Sequence, residues 1–239
     1  MSGHSKWSTI KRKKGAADAK RGVVFTRISK DITLAAKEGG GNQEMNPSLR
    51  LAIKKAKSAN MPLSNIERAI KKGTGELPGI KYEDFIYEGY GPCSIAILIQ
   101  VMTDNKNRTF PEIRSIMTKN NGNLGESGCV SWIFEKKGTI TISIDSVNED
   151  TLMSALDNAE IEDINFEDTG YEIVIEPQNF ESVSNLLDQN DIDFDGEISL
   201  LAQNTIKVSE YEAEKIIKLL ELLEEHDDVQ KVYSNFEVE

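Results

Sequence analysis

Residues 139–203 read TITISIDSVNEDTLMSALDNAEIEDINFEDTGYEIVIEPQNFESVSNLLDQNDIDFDGEISLLAQ. Thr139 to Ile144 alternates polar and apolar side chains, the period of a half-buried strand. Leu152, Ala155, Leu156 and Ala159 then recur at helical spacing. Ile161–Glu167 and Tyr171–Ile175 alternate again around Thr169-Gly170, a hairpin pattern. Phe180, Val183, Leu186 and Leu187 mark a second helix, and Glu197–Leu201 a last strand. Strand, helix, strand, strand, helix, strand is the ferredoxin-like order.

The flanks repeat part of this order. Asp84–Tyr90 and Ser94–Met102 read as strands joined at Gly91-Pro92, and Ile95–Val101 is apolar enough to be central. Thr109-Phe110-Pro111-Glu112 has the form of a capping box opening a helix through Ile113, Ile116 and Met117. Val130–Phe134 reads as one more strand and Lys137-Gly138 as a turn. A second helix and a closing strand are missing here. Residues 205–239 supply both: a capping box at Ser209-Glu210-Tyr211-Glu212, a helix carrying Ile216, Ile217, Leu220 and Leu223, and an alternating run from Val229 to Val238. The expectation is an α+β fold of three domains. A basic helical bundle spans 1–78, a discontinuous α/β domain 79–135 and 205–239, and a ferredoxin-like α/β domain of 139–203 is inserted in it.

The bundle reading rests on three short amphipathic segments. The first runs from about Val23 to Glu38 and stops at Gly39-Gly40-Gly41, since glycine accepts the left-handed cap conformation. Asn46-Pro47 opens the second, with Asn as N-cap and Pro in the first turn. Asn60-Met61-Pro62 breaks it, and Ser64-Asn65-Ile66-Glu67 reads as a capping box for the third, which ends near Gly73. Gly73 to Gly79 reads as a linker.

Charge divides the chain at that linker. Residues 1–75 hold 17 Lys and Arg against five Asp and Glu, whereas residues 76–239 hold 11 against 35. Opposite signs in two parts of one chain point to a cationic module that contacts a polyanion, carried by a body that repels it. The candidate contacts are His4, Lys6, Trp7, Lys11, Arg12, Lys13, Lys14, Lys20 and Arg21 in the leading stretch, with Lys54 and Lys55 on the second helix. Cations neutralise phosphates, and the Trp7 indole can stack on an exposed base. Arg108 joins them from Thr103-Asp104-Asn105-Lys106-Asn107-Arg108-Thr109, a polar run at the mouth of a helix. That run reads equally as an anion site or as an Asx turn that satisfies its own backbone. Gly122 to Gly128 is likewise either a close-approach loop or a tight turn.

Catalytic and metal signatures are missing from the sequence. Histidine occurs only as His4 and His226, and no HExxH, GxSxG, phosphate loop or GxGxxG is present. Cys93 and Cys129 have no metal-like spacing. The remaining carboxylates read as solvated surface. A binding protein without cofactor, metal or small-molecule substrate is expected rather than an enzyme. The first residues are charged, and the apolar run Ile95–Met102 is too short to cross a bilayer, so a cytoplasmic setting with reduced thiols is expected.

Several ordered blocks carry a resemblance: GHSKW at 3–7, DAKRG at 18–22, ANMP at 59–62, NIERAIKKGTGE at 65–76, YEGYGP at 87–92, TDNKNRT at 103–109 and GNLGESG at 122–128. Together they resemble the YebC/PmpR family over nearly the whole chain, and the mitochondrial translational activator of cytochrome c oxidase is similar. The resemblance implies three domains and a cytosolic, non-enzymatic regulator. It is either a DNA-binding transcriptional regulator or a ribosome-associated, RNA-binding translation factor that relieves stalling at stretches such as consecutive prolines. Two positions depart from the family pattern. Cys93-Ser94 stands where glycines usually follow YGP, and Pro111 stands where a small polar residue usually opens the helix.

Overall fold

The computed structural model describes residues 19–77, 82–157, 159–167 and 170–239. The fold is α+β. Three helices come first: α1 (Ala19–Gly39), α2 (Pro47–Ser58) and α3 (Leu63–Gly73). Their inward stripes meet in one core of Ile28, Ile32, Ala35 and Ala36 from α1, Leu49, Ala52, Ile53 and Ala56 from α2, Met61, and Ile66 and Ala69 from α3. Asn46 caps α2 by accepting from the Leu49 amide (3.0 Å), while its Nδ2 donates to the carbonyls of Ala35 (2.8 Å) and Gly40 (2.9 Å). One buried side chain thus fixes both ends of the α1–α2 connection. The expected capping box at Ser64–Glu67 is not formed. Pro62 occupies the N-cap with no side-chain bond, and its carbonyl accepts from Asn65 and Ile66, so Ser64 already lies inside the first turn.

The strands β1 (Glu83–Tyr90) and β2 (Ala96–Thr103) form an antiparallel hairpin. Helix α4 (Lys106–Lys119) and the short β3 (Asn123–Leu124) follow. The chain then runs through β4 (Phe134–Ser143), α5 (Glu149–Ala155), β5 (Asp163–Glu167), β6 (Gly170–Ile175), α6 (Phe180–Gln189) and β7 (Asp195–Ala202). Strand order β5-β6-β4-β7, antiparallel throughout, is the ferredoxin-like sheet. Ile140, Ile142, Ile173 and Ile175 on its inner face meet Leu152, Val183 and Leu187 from the two helices.

The last elements are β8 (Ile206–Val208), α7 (Glu210–Glu224), β9 (Val229–Ser234) and β10 (Phe236–Val238). Strand β9 pairs with β2, giving the order β3-β1-β2-β9, and β10 lies parallel to β8. Ile216, Leu219, Leu220 and Leu223 of α7 pack with Ile113 and Met117 of α4 over Ile97, Ile99 and Val101. Ser209 and Glu212 form the expected capping box of α7. On the opposite face of the same sheet, Ala96, Leu98 and Tyr233 meet Val130, Ile133, Phe134, Leu200 and Ala202, which joins the two sheets through an apolar seam.

Two local expectations are corrected. Val130–Phe134 is not a separate strand and Lys137-Gly138 is not a turn. A short 3₁₀ segment at Ser131–Ile133 leads into β4, which runs unbroken through both residues. Lys137 stays in the strand because its ammonium is met there by Glu162 (2.7 Å) and Glu176 (2.5 Å). Helix α4 opens at Lys106, three residues ahead of the Thr109 box. Asn105 caps it by accepting from the Arg108 amide (3.2 Å), and Pro111 lies inside the helix.

Candidate nucleic-acid interface

His4, Lys6, Trp7, Lys11, Arg12, Lys13 and Lys14 lie outside the described residues. Lys20 and Arg21 fall in the first turn of α1. The remaining three candidates are brought to quite different places. Lys54 is exposed, yet its ammonium lies 5.5 Å from the ring centre of Phe194, between the helical unit and the inserted α/β unit. Lys55 sits in the field of Asp31, whose carboxyl is pushed up by burial, with Lys55, Lys231 and Arg27 opposing. Lys54 thus lies against the inserted α/β unit, and Lys55 acts on an acid of the helical unit's own α1.

Arg108 belongs to a carboxylate cluster. Its Nη2 donates to Asp228 (2.6 Å) and Asp104 (3.1 Å). Asp228 is 5% exposed and also accepts from the hydroxyls of Thr109 (2.7 Å) and Thr103 (3.1 Å) and from the Lys30 ammonium (3.0 Å). Burial opposes ionisation of Asp228, but bonds from Thr109, Arg108 and Lys30 hold its carboxyl well below the usual carboxylate range. Lys30 donates further to the carbonyls of Met102 (3.0 Å) and Asp227 (2.9 Å). Thr103, Arg108 and Thr109 of the polar run thus converge on an acid 119 to 125 residues away. A groove of about 950 Å³ lies over the cluster, lined by acids at Asp104, Glu112, Glu225, Asp227 and Asp228 beside Lys30 and Arg108. Excess negative charge makes this groove a poor place for a phosphate.

The glycine-bearing loop after β3 also closes on an acid. Glu88 of β1, 5% exposed, accepts from the amides of Gly128 (2.7 Å), Val130 (2.8 Å) and Ser131 (2.7 Å). Burial pushes its carboxyl up, but these amide bonds outweigh it and hold it below the ordinary value. Asp228 and Glu88 both read as surface acids in the sequence; neither sits in a pattern that separates it from the other carboxylates.

A cationic face remains on α3. The turn Ala59-Asn60-Met61-Pro62 joins α2 to α3, and Asn60 takes φ 57°, the left-handed conformation that allows so tight a reversal. Ile66 and Ala69 face the core, which leaves Asn65, Arg68 and Lys71 exposed on the outer side and Lys72 half-buried beside them. The packing is close: a Cβ on Gly73 would collide with the Thr33 carbonyl oxygen of α1. The second helix of the pair thus carries an outward polar stripe on its solvent side.

Among the described residues no group of three or more His, Cys, Asp or Glu is arranged to hold a metal ion, and no helix is long and apolar enough to cross a membrane. Cys93 and Cys129 are free thiols.

Two family models match the chain: the TACO1/YebC protein N-terminal domain over residues 5–76, and the TACO1/YebC second and third domain over residues 82–236. A probable transcriptional regulatory protein of Dictyoglomus turgidum is 52% identical over 240 residues, covering 100% of this chain and 96% of the relative. One from Syntrophus aciditrophicus is 53% identical over 240 residues, with the same coverage of 100% and 96%. The crystal structure of a conserved hypothetical protein from Aquifex aeolicus superposes with a TM-score of 0.84 at 43% identity, covering 93% of this chain and 92% of that one.

Proposed function

We propose, for a chain that belongs to the TACO1/YebC family, that it is a DNA-binding transcriptional regulator of the cytoplasm and acts by binding rather than by catalysis. The helical unit and the cations that precede it make the contacts. The observation that carries this reading is the outward stripe of Asn65, Arg68, Lys71 and Lys72 on the second helix of the α2–α3 pair. In this role α3 lies in the major groove with Asn65 and Arg68 toward base edges. Lys71, Lys72 and the leading cations Lys11, Arg12, Lys13, Lys14, Lys20 and Arg21 meet phosphates. The names of the relatives support regulation of transcription. The acidic body keeps the polyanion on one side of the molecule.

The reading includes a division of the chain into 1–78, a discontinuous unit of 79–135 with 205–239, and an inserted unit of 139–203. Pairing of β9 with β2 supports it. Arg108, held by two carboxylates, is left out of the interface, and Lys54 and Lys55 have a secondary part.

The test is ultraviolet cross-linking of the full chain in cells, with bound DNA and RNA sorted separately, beside titration of duplex DNA at several salt concentrations. Replacing Lys71 and Lys72 with Ala should lower the salt slope by about one unit for each phosphate that is no longer neutralised, uniformly across sequences. Arg68→Ala should relax sequence preference. Recovery of ribosomal RNA alone would replace this reading with the translation-factor one, in which the leading cations enter a ribosomal cavity.

A further inference from the structure

The acidic body presents two aromatic side chains that the nucleic-acid reading does not use. Trp132 is 67% exposed, among the largest apolar exposures in the described residues, and Tyr90 is 40% exposed. Both point their polar ends at one atom: Tyr90 Oη donates to the Cys129 carbonyl at 3.0 Å, and Trp132 Nε1 donates to the same oxygen at 3.2 Å. The residues that carry that carbonyl are held firmly. Glu88 takes the amides of Gly128, Val130 and Ser131, and the Gly125 amide donates to the Glu88 carbonyl at 2.8 Å. A buried carboxylate, a loop wrapped around it and two ring donors spent on one backbone oxygen leave two exposed rings in fixed positions. What they offer a partner is ring face alone.

Electrostatics selects the partner. Burial pushes the Cys129 thiol up, and the charges of Glu88 and Glu126 add to it, so two carboxylates lie close to the residue whose carbonyl holds both rings. The whole stretch 76–239 has 35 acids against 11 bases. A nucleobase would bring its phosphates into that field. A proline-rich segment brings carbonyls that need donors, and both ring donors are already taken. A guanidinium needs neither: it stacks flat on an aromatic face, is attracted by the ring quadrupole and by the carboxylates, and keeps its N–H groups for acceptors at the rim. Tyr90 pairs with Ala96 at the end of β2 remote from Thr103 and the Lys30–Asp228 contact, so the rings stand away from the helical unit.

We infer that Tyr90 and Trp132 form a docking platform for an arginine-bearing segment of a basic protein partner. This role is independent of the nucleic-acid one: the protein holds a polyanion through its helical unit and a polycation through its body.

The test uses the full-length chain with Trp7→Phe, which leaves Trp132 as the one indole of the two in the sequence. Titration with a short Arg-Gly repeat peptide should quench Trp132 emission saturably, and a Gly-Ser peptide should not. By calorimetry on the otherwise native chain, Trp132→Leu should weaken the Arg-Gly peptide by roughly 3- to 10-fold, with Trp132→Phe in between and a Lys-Gly peptide weaker than Arg-Gly. Trp132 is exposed, so these variants should melt with the wild type. Equal affinity of the wild-type and Trp132→Leu chains would overturn the inference, since attraction to acid alone would then explain binding. Quenching by oligo-uridine or by a proline-rich peptide, with none by Arg-Gly, would overturn it in favour of a base or a proline platform.

Discussion

Asp228 and Glu88 are equally buried, at 5% exposure each, and both are held ionised, but by different means. Asp228 gathers side chains from α1, the end of β2 and the first turn of α4, and its partner Lys30 lies 198 residues away. Glu88 gathers backbone amides from a single loop 40 to 43 residues on. The first joins units of the molecule and depends on which side chains occupy several positions. The second shapes one loop and depends on the acid itself. A buried ion pair is costly to make and far more costly to break from one side, so the two sites should fail differently.

The largest effect is expected at Asp228. Asp228→Ala strands the Lys30 ammonium, 6% exposed at its side chain, with two carbonyls and the Tyr82 ring but no counter-charge, and should cost about 3–5 kcal/mol in denaturant unfolding. Lys30→Met should cost less, because Asp228 keeps Thr103, Arg108 and Thr109. Equal losses in the two variants would break the picture of Asp228 as the hub. Hydrogen exchange should rise in α1 as well as in β2 and β9 for Asp228→Ala.

Acid should act in the same direction. Both carboxyls sit below their ordinary values, so the stability they contribute is fully present above about pH 4–4.5 and is lost as pH falls towards and through the folded values. Stability of the wild type should fall on acidification, and the Asp228→Asn chain should show a shallower fall. An unchanged slope in that variant would mean that other carboxylates carry the acid response.

Glu88→Gln should cost about 1–3 kcal/mol, since the amide side chain cannot accept at both ends and leaves an amide of the loop unmet. Faster exchange should be confined to the backbone amides of Gly128, Val130 and Ser131, with α1 untouched. Exchange that spreads to α1 would erase the distinction between a local and a joining acid.

The contrast also separates what the sequence shows from what it hides. The ferredoxin-like order of 139–203 and the packing of 209–234 on the first hairpin follow from apolar periodicity, because burial of a stripe or an alternating face dictates the element. Lys137-Gly138 misleads because a lysine and a glycine look like a turn; Glu135 of the same strand and Glu162 and Glu176 beside β5 and β6 keep the lysine inside a sheet. Thr109-Phe110-Pro111-Glu112 has the letters of a cap, but Thr109 is spent on Asp228 and Asn105 takes the helix end. Arg108 is exposed and cationic, as sequence suggests, yet its charge is matched by Asp104 four residues before it and by Asp228, which only folding brings near. Periodicity reports one residue against its neighbours in sequence, whereas the ion pairs of Asp228 join residues 120 and 198 positions apart.

The smallest effect concerns the turn between β1 and β2. Cys93 and Ser94 both take φ 58°, a left-handed conformation that costs a residue with a Cβ roughly 1–2 kcal/mol. Ser94→Gly removes the steric cost but adds backbone entropy to the unfolded chain, worth about 0.5–1 kcal/mol the other way. The net expectation is a gain of up to about 1 kcal/mol, read as a rise in the denaturant midpoint with no change in slope. Because the turn borders Tyr90 and lies far from Asp228, the gain should add to the loss from Asp228→Ala within about 0.5 kcal/mol. A clear departure from additivity would show that the hairpin transmits strain between its two ends, and the separation of local from joining contacts would have to be redrawn.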